Sequence, residues 1–384
     1  MIVAAGALST GAVIPAAADA DPRGYLTKMR AEEMWKVADG TGITVAVIDS
    51  GVSDQPGLKG RVLPGISFIE SPVERPDITY PPNEDFVGHG TSMAAGIVGN
   101  GSDGGPQGLA PGAKVLPIRT AVGLPMAFAV AGQTEEGIRY AVDHGAKIIN
   151  LSIGVYEARD VATIAPAVQY ARGKGVLIFA AMGNDGAGKN ANNPIASLPG
   201  VIGVGAVDAE TANPMPFTSH GVYTDLSATG SKVQLRCEEN KGWCVADGGT
   251  SYATSLASAS AALIWSAHPG WTANQVTRVL LETAGAPTDG SKRTDRIGYG
   301  VVRPRMALLE HKGDPGAADV DPLDAAPPAK APSPVSSAGP TAGVPAASAE
   351  EASSFPWQWP ALGAGLAVVL GLGLTVVVKR QRSR

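Results

Sequence analysis

The stretch GITVAVIDSG, residues Gly42–Gly51, is the first strand-like run of the chain. Its run of β-branched and apolar residues without polar alternation indicates a strand that is buried on both faces. Ala-rich stretches of helical pattern lie between this run and later runs of the same kind. The alternation predicts an α/β fold with a mostly parallel sheet and helices on both faces, with ligands bound beyond the carboxyl ends of the strands. The later strand-like runs are KIINLSIG (147–154), GVLIFAAMGN (175–184) and PGVIGVGAVD (199–208).

The bulk composition excludes one class of partner. The chain has 384 residues, 44% of them hydrophobic, and a formal net charge of −5. The last six residues, KRQRSR, hold four positive charges, so the rest of the chain is acidic and lacks the basic surface that nucleic acids require. No acidic cluster is distinctive of a calcium site, and the sequence predicts neither a metal nor a cofactor.

Both ends of the chain differ in composition from its centre. Residues 1–20 join a short apolar stretch to small residues that fit a signal-peptide cleavage site. The basic start of such a peptide is missing, and the alternative is a loose arm. Residues 313–354 are rich in Pro, Ala and Ser, which predicts a linker. We expect a signal peptide (1–20), an N-terminal arm (21–40), the folded domain (41–312), a linker (313–354), a transmembrane helix (355–378) and a basic cytoplasmic tail (379–384).

The membrane helix is predicted from the length of an apolar segment and from the residues on either side of it. Ala361–Val378 are strongly apolar and long enough to span a bilayer, and Trp357 and Trp359 suit the membrane interface. The alternative, a buried core helix, fits poorly between a linker and a basic tail. The positive tail predicts a single-pass protein of the cell membrane, with the tail inside and the folded domain outside the cytoplasm.

Cys237 and Cys244 are the only cysteines. In an exported chain such a pair predicts a disulfide, and two unpaired thiols are the alternative. The pair precedes the turn DGGTS (247–251), so a bridge would stiffen the approach to Ser251.

Three polar residues, and a serine discussed below, follow strand-like runs or begin helix-like runs. Asp49 ends the first strand, and His89 stands between glycines in GHGTSMAAGI (88–97). Asn184 lies in a Gly-rich turn, where its amide is placed to donate to an oxyanion. Each feature also has an ordinary structural explanation, such as a turn or a helix cap.

Two serines compete as the nucleophile. Ser92 lies three residues after His89 on the same predicted helix, which leaves no room for a substrate between them. Ser251 follows a Gly-rich turn and begins a helix of small residues, where free N–H groups stabilise negative charge. These features favour Ser251.

The order of these motifs resembles the subtilisin-like serine proteases over roughly residues 35–308. The resemblance implies that Ser251 is the nucleophile, His89 the general base and Asp49 the residue that orients it. It further implies an oxyanion hole of Asn184 and the Ser251 backbone N–H. A lipase or esterase would need the motif G-x-S-x-G around its nucleophile. Residues 249–253 read G-T-S-Y-A, which lacks the last glycine, so this class is excluded. Substrate peptides of the family pair as an extra strand, which here implies the edge Ser152, Ile153 and Gly154.

The layout of the chain resembles that of the mycosins, the membrane-anchored subtilases of type VII secretion systems. It implies a membrane-anchored, extracytoplasmic serine endopeptidase with a polypeptide substrate and type VII membrane components as partners. The alternative is a scaffold that stabilises a secretion complex without needing catalysis. One departure from the family lies after the nucleophile, where Thr254 and Ser255 stand in place of a small residue and Pro. This Pro is structural and not chemical, so the departure concerns only the local geometry of the helix.

Overall fold

A computed structural model of the chain describes residues 21, 23–69, 79–121, 131–154, 158–237 and 242–324. The helices, in chain order, are α1 (Gly24–Met29), α2 (Ala31–Trp35), α3 (His89–Val98), α4 (Ala131–Asp143), α5 (Ala158–Gly173), α6 (Gly249–Ala267), α7 (Ala273–Thr283) and α8 (Pro304–Leu308). The strands are β1 (Thr44–Asp49), β2 (Ile66–Ser67), β3 (Lys114–Arg119), β4 (Ile148–Leu151), β5 (Leu177–Ala181), β6 (Val201–Val207), β7 (Leu226–Thr229), β8 (Val233–Arg236) and β9 (Trp243–Ala246).

Within the described residues, seven strands form one sheet in the order β2-β3-β1-β4-β5-β6-β7, and every neighbouring pair is parallel. The α/β prediction is therefore confirmed. The carboxyl ends of these strands lie along one edge, because all of them run in the same direction. Asp49, the last residue of β1, pairs with Arg119, the last residue of β3.

The core has two layers, one on each face of the sheet. Successive side chains of a strand point to opposite faces. In β1, Val45 and Val47 belong to the layer with α3, α6 and α7, whereas Ala46 and Ile48 belong to the layer with α4 and α5. All four side chains are buried, which explains why the sequence of β1 lacks polar alternation.

Helix α6 is a core helix, and its residues from Gly249 to Trp265 are all buried. Its Ala and Ser side chains are small, so neighbouring elements approach its backbone closely. The hydroxyls of Thr254 and Ser255 donate to carbonyl oxygens one turn earlier in the helix, those of Thr250 at 2.7 Å and Ser251 at 3.3 Å. The helix continues through both residues, so the substitution of the family's Pro does not interrupt it.

Residues 23–40, which belong to the expected N-terminal arm (21–40), are packed into the domain. The side chains of Tyr25 and Met34 are buried, and the Tyr25 hydroxyl lies 3.3 Å from that of Tyr252 on α6. Burial raises the pKa of both tyrosines, that of Tyr252 to about 12, so the pair stays neutral. Helices α1 and α2 therefore form part of the core around α6.

The packed domain also extends past residue 312. The Arg278 guanidinium on α7 donates to the carbonyl oxygens of Pro315, Ala317 and Val320 at 2.6 to 3.1 Å. Leu323 packs against the core. Thus the first part of the expected linker, up to residue 324, lies on the surface of the domain. No helix in the described ranges is both long and apolar enough to cross a membrane. The predicted signal peptide (1–20) and membrane helix (355–378) lie outside the described residues.

A disulfide joins Cys237, just after β8, to Cys244 in β9, with 5.3 Å between the Cα atoms. The two strands form an antiparallel pair beside α3. The predicted bridge is confirmed, and it closes the hairpin that leads into α6.

Candidate active site

The four residues singled out by the sequence lie where strands end and helices begin. Asp49 ends β1, and Asn184 follows β5 by three residues. His89 is the first residue of α3, and Ser251 lies in the first turn of α6. Parallel strands bring their carboxyl ends together at one edge, which is where a ligand site is expected in such a sheet.

His89 and Asp49 form a hydrogen-bonded pair. The imidazole Nδ1 lies 2.8 Å from Oδ1 and 3.0 Å from Oδ2 of Asp49. The carboxylate is fully buried, whereas the His89 side chain is 26% exposed. Burial lowers the pKa of His89, but the charge and hydrogen bond of Asp49, with the charge of Asp85, outweigh it, so the pKa is raised above 6.5. The bonded Nδ1 leaves Nε2 as the nitrogen that can exchange a proton with a substrate group.

The pair depends on a close approach of two backbones at Gly90. A Cβ at this position would lie 2.2 Å from the carbonyl oxygen of Gly51 and 3.0 Å from the Cβ of Asp49. Only glycine therefore lets α3 begin so near the end of β1. This contact explains the second glycine of the sequence GHG.

The first turn of α6 holds one backbone donor without an acceptor. The N–H of Gly249 donates to Gly230, that of Thr250 to the Asn184 side chain and that of Tyr252 to Gly248. Across the part of the chain that the structure describes, the N–H of Ser251 has no such partner. The orphan donor sits at the positive end of a long buried helix, where an anion is stabilised.

Asn184 is oriented by Thr250. Its Oδ1 accepts from the backbone N–H of Thr250 at 2.9 Å and from the Thr250 hydroxyl at 3.0 Å. Because both bonds use the oxygen, the Nδ2 amide stays available as a donor beside Gly249. A Cβ at Gly249, whose φ is +67°, would lie 2.8 Å from this Nδ2, so the turn requires glycine.

Ser251 and Ser152 exchange two hydrogen bonds. The Ser251 hydroxyl donates to the carbonyl oxygen of Ser152 at 3.1 Å, and the Ser152 hydroxyl donates to the carbonyl oxygen of Ser251 at 2.9 Å. The Ser152 hydroxyl also accepts from Asn150 at 2.8 Å, and Asn150 accepts from Ser258 on α6 at 3.0 Å. This network fixes the end of β4 to the start of α6. It also gives the Ser251 hydroxyl a resting partner.

The predicted substrate edge lies directly beside Ser251. Ser152 and Ile153 are buried, and Gly154 is partly exposed. The carbonyl oxygen of Ile153 accepts from Asn193 at 3.0 Å, and the same amide donates to the carbonyl oxygen of Ala181 at 3.0 Å. Asn193 thus joins the segments that follow β4 and β5.

Ser92, the competing serine, has two structural partners. Its hydroxyl donates to the carbonyl oxygen of Gly88 at 2.6 Å and accepts from the backbone N–H of Arg236 at 2.9 Å. The side chain is buried between α3 and β8. Its surroundings are those of a packing residue, not of a nucleophile.

Sequence reasoning missed Asp85, Ser50 and Asn193, although all three support the site. Asp85 precedes His89 by four residues, and an acidic residue just before a helix is a recognisable capping signal. Ser50 is adjacent to Asp49, but nothing in the sequence indicates what its hydroxyl meets. Asn193 carries no local signal, because its partners come from two other segments.

Comparison with known proteins agrees with this geometry. Residues 40–300 match the profile of the subtilase family. Thermitase from Thermoactinomyces vulgaris is 36% identical over 212 residues, which cover 54% of this chain and 69% of thermitase. Alkaline elastase YaB from Bacillus sp. (strain YaB) is 32% identical over 268 residues, 70% of this chain and 65% of the elastase. The chain therefore spans about two thirds of the length of these relatives.

Solved structures of the same fold include two MycP proteases. MycP1 from Mycobacterium smegmatis aligns with a TM-score of 0.64 and 25% identity, over 80% of this chain and 89% of that one. The MycP3 protease of the type VII (ESX-3) secretion system aligns with a TM-score of 0.60 and 29% identity, over 74% and 87%. The resemblance to subtilases and to mycosins is confirmed.

Proposed function

The chain belongs to the subtilase family, and we propose that it is a membrane-anchored, extracytoplasmic serine endopeptidase with Ser251 as its nucleophile. The observation that carries the proposal is that, among the described residues, neither the N–H of Ser251 nor the Nδ2 of Asn184 has an acceptor, and both lie at the start of α6. A helix cap does not require two unpaired donors near a hydroxyl. A tetrahedral oxyanion needs them.

The chemistry follows from the partners of each group. After rotation away from Ser152, the Ser251 hydroxyl attacks the scissile carbonyl carbon and its proton passes to His89 Nε2. Asp49 stabilises the imidazolium through Nδ1, and the oxyanion accepts from Ser251 N–H and Asn184 Nδ2. His89 then protonates the departing amine as the acyl-enzyme forms. A water molecule, deprotonated by His89, releases the carboxylate and restores Ser251.

A peptide-cleavage experiment tests the proposed activity. Purified full-length protein is incubated with a peptide library, and new termini are identified by mass spectrometry. The Ser251→Ala variant, with Ser92→Ala as the matched control, is treated in the same way. We expect cleavage by the wild type and by Ser92→Ala and none by Ser251→Ala. Equal cleavage by all three proteins would assign the activity to a contaminant or to another residue.

The membrane anchor and the role in secretion rest on separate support. The apolar segment Ala361–Val378 followed by a basic tail supports a single-pass anchor with the tail inside the cell. The similarity to MycP1 and MycP3 proteases supports a role beside a type VII secretion system, with exported polypeptides as substrates and its membrane components as partners.

Protease shaving tests the topology. Intact spheroplasts carry the protein with a tag after Arg384, and external protease is added. We expect loss of the catalytic domain and protection of the tag, whereas a shaved tag with a protected domain would reverse the orientation. In the same cells, normal secretion with Ser251→Ala but not after deletion would favour the scaffold function.

A further inference from the structure

Asp85 is a second buried carboxylate next to the pair of Asp49 and His89. It lies in the segment before α3, and only 3% of its surface is exposed. Both oxygens accept hydrogen bonds. Five donors surround the carboxyl group and hold it in one orientation. The donors are Ser50 Oγ (2.9 Å), Val87 N (3.1 Å) and Gly88 N (2.8 Å) to Oδ1, and Thr91 N (2.8 Å) and Thr91 Oγ1 (2.7 Å) to Oδ2.

A single hydroxyl connects this carboxyl group to the catalytic carboxylate. Ser50 Oγ lies 2.9 Å from Oδ1 of Asp85 and 3.2 Å from Oδ1 of Asp49, and it accepts from the N–H of Gly90 at 3.0 Å. The hydroxyl has one proton to share between two carboxylates. Ser50 therefore fixes the spacing of the carboxylates and ties both to the residue after His89.

Asp85 also determines where the helix that carries His89 begins. Its oxygens accept the N–H groups of Gly88 and Thr91, which flank His89 at the start of α3. These donors have no acceptor within the helix, and a carboxylate at this end is favourable for the helix dipole. The backbone of His89 is thus held from both sides by one side chain.

Among the described residues, the charges that act on His89 are those of Asp49, in β1, and of Asp85, in the segment before α3. Glu84, next to Asp85, acts together with it on the Arg119 guanidinium. Arg119, at the end of β3, donates to the carbonyl oxygens of Pro81 and Glu84 at 3.2 Å each. Arg236 of β8 reaches α3 through its backbone N–H. The charges of both Asp49 and Asp85 raise the pKa of His89 against the effect of burial.

We propose that Asp85 is a positioning residue of the proteolytic site, acting through Ser50 and the first turn of α3. It holds His89 against Asp49, and its charge stabilises the imidazolium that forms when Ser251 loses its proton. The inference rests on the proposed endopeptidase function. It assigns to the site a second carboxylate that touches neither substrate nor nucleophile.

The test measures how fast a fluorophosphonate probe labels the full-length protein at different pH values. The labelling rate depends on His89 as the base that activates Ser251. Asp85→Asn keeps the shape, removes the charge and replaces one of the two acceptor oxygens by a donor. Asp208→Asn is the matched control, because Asp208 likewise accepts backbone and hydroxyl donors but from Thr211, Glu210 and Ser231, and its pKa is lowered to about 2.

In Asp85→Asn we expect the acidic midpoint of the labelling profile to move to lower pH, because the imidazolium loses a stabilising charge. The plateau rate should fall about tenfold, which is less than the ~10²–10⁴ that a positioned base contributes in full. The control should keep both values. A lower plateau with an unmoved midpoint, or no change in either, would overturn the inference. If the wild type is not labelled at all, the proposed function fails first.

Ser50→Ala provides a second test if Asp85→Asn does not fold. This variant keeps both carboxylates and removes only the hydroxyl between them. We expect a slower labelling rate with no shift of the midpoint to lower pH. A wild-type rate in Ser50→Ala would show that the connection through Ser50 does not position His89.

Discussion

Asn184 accepts two hydrogen bonds from Thr250, one from the backbone N–H at 2.9 Å and one from the hydroxyl at 3.0 Å. Both bonds reach the same amide oxygen, so the Nδ2 donor is turned away from Thr250. The neighbour of the proposed nucleophile therefore orients the proposed oxyanion donor. The oxygen of the Asn184 side chain thus holds the structure, and its Nδ2 is the atom proposed to act in the reaction.

Asn184→Asp exploits this difference between the two atoms. The substitution keeps an oxygen for Thr250 and replaces the Nδ2 donor by a carboxylate oxygen, which cannot donate and adds negative charge beside the oxyanion. We expect kcat for peptide cleavage to fall by at least ~10²–10³ with little change in KM, because one oxyanion donor is lost. Steady-state kinetics beside a thermal melt checks this. A kcat near the wild-type value in a folded variant would remove Asn184 from the oxyanion hole.

Ser92→Ala should affect stability and spare catalysis. The hydroxyl bridges Gly88 and Arg236, so its loss is expected to lower the free energy of unfolding by about 1 kcal/mol. Denaturant unfolding measures that loss, and the probe labelling rate measures the activity. Loss of labelling in folded Ser92→Ala would contradict the structural role.

The activity should depend on pH through His89. Its pKa is raised above 6.5, chiefly because Asp49 outweighs the effect of burial. A general base must be neutral, so activity should be lost as pH falls through this raised value. The pH profile of kcat/KM locates the midpoint. A midpoint below 6.5 would contradict the stabilisation of the imidazolium by the two carboxylates.

Asp225 should make stability depend on pH in the opposite sense to most carboxylates. Burial raises its pKa to about 7, although a hydrogen bond from Gly203 and the charge of Arg293 oppose this. Because the folded pKa exceeds the unfolded value of 3.8, the wild type loses stability as pH rises from about 4 to 7. The loss is at most on the order of 4 kcal/mol, since Asp225 keeps some exposure.

Asp225→Asn removes this titration. Compared with the wild type, the variant should have a similar melting temperature at pH 4 and a higher one at pH 7. Melting curves of both proteins across this range provide the measurement. A constant difference between them at every pH would mean that Asp225 does not titrate between these values.

The four candidate residues were predictable because their signals are local. Each lies in a short string that ends a strand or begins a helix, and the parallel sheet then brings such ends together. Ser92 shows the limit of this reasoning. Its string GTSMA imitates a nucleophile motif, and only the contact with β8 shows what the hydroxyl binds.

Features that need several segments to converge were not predictable. Composition alone marked residues 313–324 as linker, because it cannot reveal that the Arg278 guanidinium captures three backbone carbonyl oxygens there. The link from Asp85 through Ser50 to Asp49 likewise joins residues far apart in the chain. Neither contact leaves a hydrophobic periodicity or a residue spacing in the sequence by which it could be recognised.

Mapping the site of fluorophosphonate attachment identifies the nucleophile. Full-length wild type, Ser251→Ala and Ser92→Ala are labelled in parallel, digested and analysed by mass spectrometry. We expect a single modified residue, Ser251, in the wild type and in Ser92→Ala, and no label in Ser251→Ala. Label on another serine, or folded Ser251→Ala labelled at the wild-type rate, would contradict it.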